Sequence, residues 1–132
     1  MQQEKDYIQR EIQRLTFFLT KLIGKALGIN VNDYELDVME IDQDLANEFD
    51  LTLKEISEME KSELFERIAN LHETHIEKLA ELIFTILEKI GNENKRSLAK
   101  KAYLMLDFLD MNSKTFSLKR MEMKNALQQW LL

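Results

Sequence analysis

The chain has 132 residues, a net charge of −6, three Gly, no Pro and no Cys. Without Cys it forms no disulfide framework, thiolate metal site or Cys nucleophile. With so little Gly and Pro it has no Gly-rich phosphate loop and too few turn residues for a many-stranded sheet, while 45% apolar and 32% charged residues make a soluble composition sized for one domain over 1–132.

Five segments carry helical period, predicting an all-α protein. Over 4–27 the apolar residues Ile8, Ile12, Leu15, Leu19, Leu22 and Ala26 form a heptad-like stripe, and Gly28 stops the helix. Over 33–49 the stripe is Tyr34, Val38, Ile41, Leu45 and Phe49. A connector follows from Leu51 to Met59, with room for one helical turn, because Thr52-Leu53-Lys54-Glu55 has capping-box form.

The longest periodic run covers 60–90, through Leu64, Ile68, Leu71, His75, Leu79, Leu82 and Ile86. Gly91 ends it and Asn92 caps the next helix, predicted over 93–111. The last helix is predicted over 116–131, with Met121, Met123, Leu127 and Trp130 among its apolar positions. Trp130 reads as a clamp that closes this helix onto the third, with an anchor for a partner as the alternative. A sphere of this size is ~36 Å across, whereas a helix of ~30 residues is ~45 Å long. An elongated stack of antiparallel hairpins is therefore expected.

Charge is uneven. Asp33 to Glu63 holds twelve acidic and two basic residues, whereas Lys95 to Lys124 holds eight basic and three acidic. The acidic arm reads as a solvated face, or as a surface for basic partners or for the basic end of another copy. The basic residues lack an aromatic stacking pattern, so nucleic acid is not expected as a partner. The start at Met1 is mixed in charge rather than a signal peptide, and no run is apolar enough to span a membrane, so no membrane partner is expected and the cytoplasm is the expected location.

His72-Glu73-Thr74-His75 is the only cluster resembling a metal site. A spacing of three lets two imidazoles converge, and Glu81 is the candidate third ligand. The chain has no further His, and the Glu-x-x-His motif of di-iron bundles is missing, because Ala69 precedes His72 by three. Hydrogen-bonded packing histidines are the simpler reading. No Gly-x-Ser-x-Gly elbow or Ca²⁺ loop is present.

Lys5-Asp6-Tyr7-Ile8-Gln9-Arg10-Glu11-Ile12, the Leu22–Lys25 stretch, Ser62–Phe65 and Phe116-Ser117-Leu118-Lys119-Arg120 resemble motifs of an uncharacterised bacterial family of small helical proteins, a domain of unknown function. The resemblance spans the chain and implies tetratricopeptide-like helical hairpins, with no activity and no functional residues to carry over. The chain departs from true tetratricopeptide repeats in having no Pro and no 34-residue period. The expected function is a non-enzymatic interaction or scaffold module without cofactors, acting on a protein partner or as a homodimer through its helix faces. The alternative is a metal- or small-ligand-binding protein using His72 and His75.

Overall fold

The segment predicted as one long helix over 60–90 is two helices set at a corner. The computed structural model describes residues 2–91 and 95–132, and the described residues are all-helical, with no strand. Among the described residues, seven helices replace the five expected: α1 (Gln2–Leu27), α2 (Tyr34–Phe49), α3 (Leu53–Glu58), α4 (Lys61–Ile68), α5 (Glu73–Ile90), α6 (Arg96–Asn112) and α7 (Leu118–Trp130). The predicted Asn92 cap and the helix start at 93 lie outside the described residues.

The corner has a local cause. His72 takes up an extended conformation (φ −66°, ψ 143°), and its Nδ1 accepts the Thr74 N–H at 3.1 Å, which makes it the N-cap of α5. Upstream, the Ala69 N–H still bonds to the Phe65 carbonyl and closes α4. The bend shortens this segment, so that neither of its halves outruns a globule of this size.

The connector does fold. Thr52 Oγ1 accepts the Glu55 N–H at 3.1 Å, and its hydroxyl donates to Glu55 Oε1. Leu53 and Ile56 then point into the core. Two other helix ends use special geometry. Asp50 caps α2 in the left-handed region (φ 52°), a conformation Asp tolerates, and Gly91 ends α5 at φ 81°, where a Cβ would be strained.

Helix α5 is the axis of the fold. Its buried set, His75, Ile76, Leu79, Ala80, Leu82, Ile83, Thr85, Ile86 and Leu87, runs most of the way round the helix. A buried arc this wide, with the face of Glu73, Glu77, Glu81 and Glu88 left polar, needs more than one neighbouring helix. Helix α1 covers one flank and α6 another, with α7 beside them. Ala80, Ala99 and Ala102 are fully buried, and these small side chains let α5 and α6 approach closely.

The heaviest packing joins α5 to α1, far away in sequence, and about equally to α6, its neighbour in sequence. Ion pairs Arg14–Glu48 (2.9 Å) and Lys25–Glu40 (3.2 Å) set α1 and α2 antiparallel. Trp130 stacks on Phe84, rings 5.1 Å apart and 11° from parallel, and so clamps α7 onto α5.

The apolar stripe of α1 is only half used. Leu19, Leu22 and Ala26 are buried, Ile12 and Leu15 are half-buried, and residues 3–10 are all exposed, Tyr7 and Ile8 among them. At 26 residues α1 is ~39 Å long, against ~27 Å for the 18 residues of α5. The first turns of α1 therefore project past the bundle.

Three residues of the basic segment, Lys119, Arg120 and Lys124, pair with carboxylates within the molecule. Buried Arg120 donates to Asp110 Oδ1 (2.7 Å), the Thr115 carbonyl (2.6 Å) and Glu77 Oε1 (3.5 Å). Lys124 reaches both Asp107 and Asp110, and Lys119 pairs with Glu81. Lys95, Arg96, Lys100, Lys101 and Lys114 of the same segment form no ion pair among the described residues. Among the described residues, no helix is long and apolar enough to cross a membrane.

Candidate functional site

His72 and His75 lie side by side, with ring centroids 5.6 Å apart, but their nitrogens have structural work. His72 Nδ1 caps α5, as above. His75 is 3% exposed, and its Nε2 lies 3.0 Å from the Ile12 carbonyl of α1. A carbonyl can only accept, so His75 donates from Nε2 and carries its lone pair on Nδ1. Thr16 Oγ1 donates to the same carbonyl at 2.7 Å. The Phe49 ring meets His75 edge-on at 5.7 Å. His75 therefore joins α1, α2 and α5 at one point.

Glu81 does not join the histidines. Six residues beyond His75 on α5 correspond to ~240° of helical rotation, so it faces another way and pairs with Lys119 of α7. Among the described residues, no group of three or more His, Asp or Glu side chains is placed to hold a metal ion. The histidine pair reads as a helix cap and an interhelical latch.

Burial holds the His75 pKa below its ordinary 6.5, and the nearby His72 pushes the same way, while the hydrogen bond to Ile12 opposes them. As pH falls, the unfolded chain therefore takes up the proton first. Stability contributed by neutral His75 is complete above about 6.5 and is lost as pH drops through the depressed folded-state value. His75→Gln keeps an Nε2 donor for Ile12 but cannot titrate. Thermal melts between pH 7 and pH 5 are expected to show a smaller fall in Tm for this variant than for the parent chain. Parallel curves would mean that other groups control the acid limb.

A groove of about 500 Å³ lies at the far end of the bundle, between α2, α3, the last turns of α5 and the first turn of α6. That volume falls in the range of ligand-binding clefts. Its apolar lining comes from Val38, Leu53, Ile86, Ile90 and Leu98. Its charged lining residues are Glu35 and Asp42 on α2, Lys54 on α3 and Lys95 just before α6.

The helices around the groove are fixed by hydrogen bonds. Asp42 Oδ1 accepts the Leu53 N–H at 2.7 Å, which ties α2 to the start of α3. Burial pushes the Asp42 pKa up, the backbone N–H groups of Leu53 and Lys54 partly restore it, and Glu55 adds repulsion. At the other end of α3, the Ser57 carbonyl accepts from Ser97 Oγ (2.6 Å) and Lys101 Nζ (3.2 Å). Reading the sequence misses this site, because it treats α3 as a connector. The available signal is the pair Leu53 and Ile56, spaced by three inside the Thr52 capping box.

No family model, curated protein or solved structure matches the chain.

Proposed function

We propose that the protein is a non-enzymatic interaction module that docks an amphipathic helix in the groove between α2, α3, α5 and α6. The observation that carries this reading is the groove's lining: apolar residues from four helices, carboxylates from α2, and the ammonium groups of Lys54 and Lys95. An amphipathic helix with unlike charges on its two flanks presents the complementary surface, an apolar seam between two polar edges. The walls come from helices braced by Asp42 and by the Ser57 carbonyl, so the groove exists before binding and little ordering has to accompany it.

The test uses a fluorescein-labelled helix of roughly 18 residues, long enough to hold helical structure, with Leu at i, i+3, i+4 and i+7, Glu along one flank and Lys along the other. Fluorescence anisotropy is expected to show saturable binding. Met39→Asp, which adds charge at an exposed position on the rim, is expected to weaken it about tenfold. Absence of saturable binding, or equal affinity for the parent and the variant, would sink the reading.

A further inference from the structure

We infer that the groove's occupant is the projecting first part of α1 from a second copy of this chain, exchanged reciprocally. The inference rests on the docking role proposed for the groove and supplies its partner. Residues 3–10 of α1 form a helix that touches little of its own molecule. They expose Tyr7 (65%) and Ile8 (57%), large apolar side chains that water solvates poorly. Ile8 continues the seam of Ile12 and Leu15, so the tip is amphipathic in register with the buried half of the same helix.

Charge agrees with this pairing. At 100° per residue, Glu4 and Glu11 fall on one flank of the Ile8–Ile12 seam and Lys5 on the other. The groove offers Lys54 and Lys95 to the acidic flank and Glu35 to Lys5. Among the described residues, Glu4, Lys5, Glu35, Lys54 and Lys95 have no ion-pair partner within the chain. These charges are therefore available for contact with a second copy.

Position agrees as well. Ile12 sits opposite His75 near the start of α5, whereas the groove includes Ile86 and Ile90 at the end of α5. Tip and groove thus lie at opposite ends of the bundle. Two copies side by side and antiparallel bring each tip to the other's groove, which gives a closed two-fold dimer in which the same contact is made twice.

The chain contains no Cys, so introduced thiols have no background. Equimolar Ile8→Cys and Met39→Cys chains, mixed under oxidised glutathione, are expected to form a mixed disulfide. Its yield should exceed that from Ile8→Cys with Gln128→Cys, on exposed α7, by about tenfold, reflecting the high effective concentration within a preformed complex. Sedimentation of the unmodified chain should give twice 15.7 kDa, and Ile8→Asp, at an exposed position that leaves the core intact, should return it to a monomer. A monomer at high micromolar concentration, or cross-linking no greater than the Gln128 control, overturns the inference. If that monomer still binds the labelled helix, the groove retains its docking role and only the self-exchange is lost. If it binds no helix either, both readings fall.

Discussion

Arg120→Ala is expected to destabilise the protein by about 3 kcal/mol, through loss of a buried guanidinium that makes three hydrogen bonds, two of them to carboxylates. The side chain is 5% exposed, yet all its polar neighbours are matched. Its planar fork joins three elements at once: Asp110 at the end of α6, the Thr115 carbonyl in the following turn, and Glu77 on α5. Truncation leaves a carbonyl and two carboxylates short of a donor. It also removes the contact that fixes where α7 begins, beside the Ser117 Oγ that accepts the Arg120 N–H at 3.1 Å. Arg120→Lys keeps the charge but cannot reach three acceptors in one plane, so a smaller loss of about 1–2 kcal/mol is expected. Urea unfolding measures both. There is also an acid signature. Burial tends to raise the Asp110 pKa, but Lys124 and Arg120 outweigh it and hold the group below its ordinary 3.8. The stability this provides is present above 3.8 and lost as pH falls through the depressed value, so the Ala variant should lose less on acidification. A loss below about 1 kcal/mol would show that the Lys124 pairs and the Trp130 stack hold α7 in place without Arg120.

Arg120 also shows where reading the sequence reaches its limit. It counts there as one of eight basic residues in a basic stretch, because burial and partners are tertiary facts. The same holds for His72. His is not among the usual N-capping residues, and a corner without Gly or Pro leaves no punctuation in an unbroken apolar period. What was legible is what local chemistry decides: the helical class, the Thr52 capping box, the ends at Leu27 and Ile90, and the Trp130 clamp. The α1 stripe was legible as a period, but not the point near Ile12 where its burial stops, because that depends on the length of a helix far along the chain. The groove stayed hidden for the same reason, since its residues come from four helices. The His75 latch was half visible: its place on the apolar stripe marked it as a packing histidine, but its partner carbonyl lies 63 residues away.

Leu79→Ala should cost about 3 kcal/mol, within the 2–5 kcal/mol usual for a fully buried Leu whose cavity cannot collapse. Collapse is hindered because α5 is held from several directions. Helix α1 is latched through His75, α6 packs against it through buried Ala99 and Ala102, and α7 is fixed by Trp130 and Arg120. The same change at Phe17, 62% exposed on α1, should stay within about 0.5 kcal/mol, which makes it the surface control. Ala102→Leu probes the opposite error: a larger side chain between α5 and α6 should cost about 1–3 kcal/mol by overpacking. For Leu79→Ala the loss corresponds to a fall of ~10 °C in Tm for a chain of this length. The shape of the transition carries more information than its midpoint. Helices α1 and α6 bury their apolar faces against α5, with α2 resting on α1 and α7 chiefly on α6, so neither pair keeps a full core without α5. Urea unfolding of Leu79→Ala should therefore remain a single transition with an unchanged m value, displaced to lower urea. Two resolved transitions would mean that the α1–α2 pair or the α6–α7 pair holds together without α5, and the central place assigned to that helix would have to be given up.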